Sequence, residues 1–145
     1  RMYSIAIIPL SPTAGGFLTG KYRRDETLPE DSRFSAFWKG MDEHHFTDSA
    51  FAVLNVVETL AQEKGCTPYQ LSLAWVMAQT GITSPIIGPR TLQHLKDSLG
   101  ALDITFSEDD FKQIDAVAPP GRVTVPYYGN DGLMWRTWGP HEHRW

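Results

Sequence analysis

Apolar residues recur at helical spacing along four stretches of the chain, and each stretch carries its own start signal. Phe51, Leu54, Val57, Leu60 and Ala61 share one face. That face predicts a helix over 48–64, opened by Thr47 or Asp48 and closed by Gly65. Thr67-Pro68-Tyr69-Gln70 supplies a capping hydroxyl, a proline at the first helical position and a glutamine three residues on, so a second helix is expected from 67 to Gly81. Its Leu71, Ala74, Trp75 and Ala78 form a face that Leu73, Val76 and Met77 widen, which predicts deep burial. Leu92, Leu95, Leu99 and Leu102 predict a helix over 92–101 with these leucines as its buried stripe. Ser107-Glu108-Asp109-Asp110 is a capping box for a helix over 108–117, with Phe111, Ile114 and Val117 on one face and Pro119-Pro120-Gly121 as its stop.

Two short runs have a different character. Residues 4–9 are rich in isoleucine and continuous, as a strand buried on both faces would be. Ser84-Pro85-Ile86-Ile87-Gly88 is the second expected strand. Between the first strand and the first helix, residues 10–47 read as mostly irregular, with a helical turn near 15–20. Loops of this length often cover ligands. Few apolar residues fall in 23–46, so this segment is expected to lack order without a ligand. The tail, 122–145, reads as irregular and rich in aromatics. Strands joined through helices imply a parallel α/β sheet. Two strands cannot form a sheet covered on both faces, so more sheet is expected elsewhere, or the chain is part of a larger barrel.

The 145 residues suit a single domain or a part of one, and the net charge of −4 has no basic block. This excludes a general nucleic-acid binder, which needs a basic face. Cys66 is the sole cysteine, so no intrachain disulfide forms. No apolar run approaches the ~20 residues of a membrane span, and the start does not resemble a signal peptide. A cytoplasmic protein without membrane attachment is the expectation.

Candidate chemistry concentrates where the expected strands end. Ser11-Pro12-Thr13-Ala14-Gly15-Gly16 breaks the first run into small residues, and Lys21 follows. Backbone N–H groups in such a loop can approach an anion; a plain turn is the competing reading. The spacings of the P-loop and of the Gly-x-Gly-x-x-Gly fingerprint are both missing. Gly88-Pro89-Arg90-Thr91 leads from a strand into a helix. There the helix N-terminus favours an anion and Arg90 adds a bidentate donor, or Thr91 simply caps a helix beside a solvated arginine. His94, Asp97 and Ser98 follow on one face, as base-edge readers or as polar surface. His44-His45 and His141-x-His143 lack a third ligand at sensible spacing, so no metal site is expected. Cys66 precedes a helix N-terminus that can lower its pKa, although a structural thiol is the preferred reading. Tyr127, Tyr128, Trp135, Trp138 and Trp145 are expected to anchor the tail. No catalytic Ser/His/Asp set or carboxylate pair follows from spacing.

Taken together, the stretches 8–22, 67–75 and 86–102 resemble the aldo-keto reductase superfamily, in the branch with bacterial reductases and potassium-channel β subunits. The resemblance runs to about residue 120. It implies the C-terminal portion of a (β/α)8 TIM barrel, with residues 1–145 supplying the last two β/α units plus the C-terminal helix and tail. That fold typically needs ~250 residues. It also implies NADPH as cofactor. Leu10 would lie against the nicotinamide; Ser11, Thr13, Gly15 and Lys21 would surround the pyrophosphate, on a loop shaped by Pro12, Ala14 and Gly16. Arg33 matches a basic residue of the cofactor-covering segment, and Gly88, Arg90, His94, Asp97 and Ser98 match the adenosine-phosphate end.

The chain departs from the pattern in several places. Leu10 stands where an aromatic commonly stacks, and His94, Asp97 and Ser98 replace Gln, Glu and Asn. Arg90 keeps the charge that favours NADPH over NADH. The family's catalytic Asp, Tyr, Lys and His would lie on earlier strands, outside this chain. The implied activity is reduction of a small carbonyl substrate, with an N-terminal barrel half as a required partner. A non-catalytic cofactor-sensing or partner-binding module, like the channel β subunits, is the alternative. A fragment that self-associates through an open sheet edge is the third reading.

Overall fold

A computed structural model describes residues 5–40 and 42–125, except for the side chains of Asp42 and Glu43. A 3-10 turn, Ala14–Thr19, is followed by the short helices α1 (Arg33–Ala36) and α2 (Asp42–His45). The longer helices are α3 (Asp48–Glu63), α4 (Pro68–Ala78), α5 (Leu92–Leu99) and α6 (Glu108–Val117), with a second 3-10 turn, Gly100–Asp103, after α5.

The expected caps set the helix starts. Thr47, Thr67, Thr91 and Ser107 each accept a hydrogen bond from the backbone N–H three residues on. Thr67 with Gln70 and Ser107 with Asp110 complete reciprocal capping boxes. Each such cap stabilises its helix by about 1 kcal/mol.

α3, α4 and α6 share a core of Val57, Leu60, Ala61, Leu71 and Ile114. Lys64, at the end of α3, pairs with Asp110 in the first turn of α6 at 2.7 Å. Each charge lies at the helix end its dipole favours. Leu73 and Ala74 of α4 pack on Ala101 of the second 3-10 turn.

A separate aromatic cluster corrects the expectation for 23–46. Phe17, Tyr22, Phe34, Ala50 and Leu54 are its buried members, with Leu28, Trp38, Phe46 and Val125 against them. Phe34 has no exposed surface and meets Tyr22, Trp38 and Phe46 at ring distances of 4.9–5.2 Å. The apolar residues of this segment are few, but they are large rings, and a few rings bury as much surface as many aliphatic side chains. The first residues of the tail also dock here, with Ser49 Oγ donating to the Thr124 carbonyl at 2.9 Å. The tail aromatics lie outside the described residues.

Neither expected strand forms as a ladder: among the described residues one parallel bridge joins Ile7 to Ile82, just before the expected run 84–88. Thr83 N–H donates to the Ile7 carbonyl, and Ile86 N–H to the Pro9 carbonyl, both at 2.8 Å. The second bond falls one residue late because Pro85 has no N–H to give, and Pro9 cannot donate back. The prolines thus interrupt the ladder. Burial on both faces is also overturned: Ile5 is 75 % exposed and Ile8 58 %. The leucine stripe of α5 differs in the same way, with Leu92 at 69 % and Leu99 at 54 %. Only the side of α5 carrying Ser98 faces the rest of the described chain. No described helix is long and apolar enough to cross a membrane.

Candidate functional site

A cleft of about 750 Å³ opens between the loop after the first extended segment and the start of α5. Leu10, Ser11, Pro12, Thr13, Gly15, Gly16 and Lys21 line one side, Gly88, Arg90, His94 and Asp97 line another, and Arg33 reaches in from α1. These segments are far apart in sequence. They meet because the Ile7–Ile82 bridge and the Ile86-to-Pro9 bond hold the two extended segments side by side, so both loops emerge at the same end.

The glycine side is held by backbone geometry and by rings. Ala14 N–H donates to the Ser11 carbonyl at 2.9 Å and Gly16 N–H to the Thr13 carbonyl at 3.0 Å. Those two donors are therefore turned into the loop. Gly15 and Gly16 have φ of +69° and +93°, values that favour glycine. A Cβ on Gly15 would lie 2.6 Å from the Trp38 ring, and one on Gly16 would lie 3.1 Å from Lys21 Nζ. Trp38 carries the Arg33 guanidinium 5.1 Å from its ring centroid. The glycines thus let the covering segment and the lysine close in on the same loop.

Charge in the cleft is unbalanced at close range. Lys21, Arg33 and Arg90 have no carboxylate partner among the described ion pairs, whereas Arg23 pairs with Glu58 at 2.7 Å and Arg24 with Asp48 at 2.6 Å. Asp31 and Asp97 also line the cleft. Asp97 accepts from Gln93 Nε2 at 2.8 Å. The cap from Thr91 to His94 N–H, at 3.1 Å, leaves the first N–H groups of α5 outside the helix ladder, as at any helix start. The arrangement suits an extended, multiply charged anion.

Two expected site residues do not line the cleft. Ala14 packs against the aromatic cluster. Ser98 is buried: its hydroxyl donates to the His94 carbonyl at 2.7 Å and lies 2.6 Å from the Tyr69 hydroxyl. The cleft also takes in Thr19, Asp31, Phe37, Thr67, Tyr69, Ile86, Ile87 and Pro89, which sequence reasoning did not assign. The capping motif accounts for Thr67 and gives Tyr69 no part, so neither stands out as a cleft residue in the sequence.

Elsewhere the chemistry is structural. Burial raises the Cys66 pKa above its usual 9.0, outweighing Lys64 and a backbone hydrogen bond, which agrees with the preferred reading of a structural thiol. Among the described residues no three His, Cys, Asp or Glu gather as a metal would need. His45 sits in the aromatic cluster, stacked 5.4 Å from Trp38, and His141 and His143 lie outside the described residues.

A model of the aldo/keto reductase family matches residues 1–119. The chain belongs to the aldo/keto reductase family. A probable aldo-keto reductase from Glycine max is 33 % identical over 138 residues, covering 94 % of this chain and 39 % of that protein. An aldo-keto reductase from Schizosaccharomyces pombe, whose name carries NADP(+), is 32 % identical over 79 % of this chain and 33 % of its own length. An L-glyceraldehyde 3-phosphate reductase from Escherichia coli O157:H7 is 29 % identical over 83 % of this chain and 36 % of its own length. Among solved structures, a glycerol dehydrogenase from Gluconobacter oxydans superposes with a TM-score of 0.65 at 19 % identity, over 84 % of this chain and 37 % of that one. That likeness concerns fold alone. The chain therefore spans 33–39 % of the length of these curated relatives, and in aldo/keto reductase terms it covers part of a (β/α)8 barrel.

Proposed function

We propose that this chain is the cofactor-holding C-terminal part of an NADPH-dependent aldo-keto reductase that reduces aldehydes or ketones. One observation carries the reading: Lys21, Arg33 and Arg90, from three separated segments, meet at one glycine-lined cleft without carboxylate partners among the described ion pairs. NADPH carries a pyrophosphate and a 2′-phosphate, and its apolar parts suit Leu10, Ile86 and Ile87. The volume of the cleft falls in the range of small-molecule sites, and the bare face of Gly16 leaves Lys21 Nζ close to the loop. The cleft residues therefore fit the group. The NADP(+) in the fission-yeast relative's name supports the cofactor class, and the bacterial relative's name supports a carbonyl substrate.

In this reading Leu10 flanks the nicotinamide, and Ser11, Thr13, Gly15 and Lys21 hold the pyrophosphate. Pro12, Ala14 and Gly16 shape that loop. Arg33 covers the cofactor from α1. Gly88, Arg90, His94 and Asp97 form the adenosine-phosphate end. Bound there, NADPH supplies a hydride to a carbonyl carbon. The proton must come from a general acid, and Tyr69, which lines the cleft, has its hydroxyl engaged by Ser98. The acid is thus assigned to barrel residues outside this chain. The exposed side chains of Ile5, Ile7 and Ile8 and the bare α5 leucines support a missing barrel portion as the partner.

Nicotinamide fluorescence on adding NADPH to the chain, followed by an aldehyde, tests the reading. Saturable enhancement without NADPH oxidation is expected. Steady oxidation by the chain alone would overturn the assignment of the acid, and no binding would overturn the cofactor.

A further inference from the structure

The α5 side of the cleft has a wall that its sequence pattern conceals. Ser98 falls in the motif for the adenosine end, yet it is only 6 % exposed and its hydroxyl proton goes to the His94 carbonyl at 2.7 Å. It cannot face a ligand in the cleft. The Tyr69 hydroxyl, 2.6 Å from Ser98 Oγ, is then the donor of that pair, because Ser98 has a single proton. Tyr69 lines the cleft itself, and its ring also packs beside Leu73 and Ala74. The next residue, Gln70, donates to the Asp97 carbonyl at 3.0 Å while accepting from Thr67 N–H at 3.0 Å. Adjacent residues of α4 therefore grip the α5 turn that carries His94 and Asp97.

We infer that Tyr69 is the residue that forms the ligand-facing wall at the adenosine end, with Ser98 as a positioning residue that fixes the ring. The inference rests on the cofactor reading above and refines it. A purine beside an aromatic ring gains stacking whatever its edge groups, so a ring from α4 replaces a side-chain reader from α5. The anchoring chain Tyr69–Ser98–His94 predicts coupling: removing either hydroxyl frees the same ring.

The test is competition binding with two probes, adenosine 2′,5′-bisphosphate and inorganic pyrophosphate, on the wild-type chain and its variants. Tyr69→Ala is expected to weaken the adenosine probe by about tenfold, the usual scale for losing a base–aromatic stack. Tyr69→Phe and Ser98→Ala should each weaken it by about threefold, and the double variant no further, as for groups acting through one contact. Pyrophosphate, held by the glycine side, should compete equally well against all variants. Equal weakening of both probes would show a merely structural role and overturn the inference. So would variants indistinguishable from wild type, which would leave the cofactor reading intact. Failure of the wild-type chain to bind either probe would instead overturn the cofactor reading and this inference with it.

Discussion

The two sides of the cleft are built in opposite ways. The glycine side is finished within the chain: its loop is backed by Trp38 and by the buried rings of Phe17, Tyr22 and Phe34. The α5 side is held by a few side-chain hydrogen bonds from Tyr69 and Gln70, while Leu92, Leu99 and Leu102 stay exposed. A ring cluster is non-directional and large, so it orders a loop without regular structure. Hydrogen bonds fix register but add only about 0.5–1.5 kcal/mol each. One side therefore carries its own stability, and the other leaves apolar surface bare.

Substitutions can break this contrast. The largest effect is expected from Phe34→Ala, which should cost about 3–5 kcal/mol in denaturant unfolding and release the covering segment. Gly15→Ala comes next. It places a Cβ against Trp38 at positive φ, a strain of about 1–3 kcal/mol, and should lower the thermal midpoint and pyrophosphate affinity together.

Acid probes the helical core that both sides stand on. Burial alone would raise the Asp110 carboxyl, but Lys64 and the Ser107 backbone and hydroxyl donors together hold it below its usual 3.8. Stability from Asp110 is thus complete above that value and falls away as pH drops through the lower native pKa. Denaturant midpoints against pH should show this loss in the wild type and a shallower one in Asp110→Asn. The smallest effect is expected at the bare stripe. Leu99→Ser should change stability by no more than about 0.5 kcal/mol in the chain alone, and a cost well above that would mean the stripe is covered in solution.

Local chemistry explains what was legible in advance. The helices were readable because Thr47, Thr67, Thr91 and Ser107 are caps whose partners lie three residues away. The site loops were readable because small residues and cations cluster within short stretches. Contacts at long range were not. Phe34 and Trp38 stand at i, i+4, but α1 is a single short turn and Phe46 lies in a different segment, so their joint burial is invisible along the chain. The Tyr69–Ser98 bond joins residues 29 apart, which turned an expected ligand contact into an internal one. The leucine stripe of α5 announced a buried face, yet Leu92, Leu95, Leu99 and Leu102 are all exposed among the described residues, because spacing names an apolar face without naming what covers it.

The cleft cations themselves test the central claim most directly. NADPH affinity should be measured for Lys21→Met, Arg33→Met and Arg90→Met, with Arg23→Met as the control whose charge is already paired to Glu58. Losing a hydrogen bond to a charged group is expected to weaken binding by about tenfold or more for each cleft cation, while Arg23→Met should leave it unchanged. Equal losses at all four positions, or none at the three in the cleft, would contradict the account.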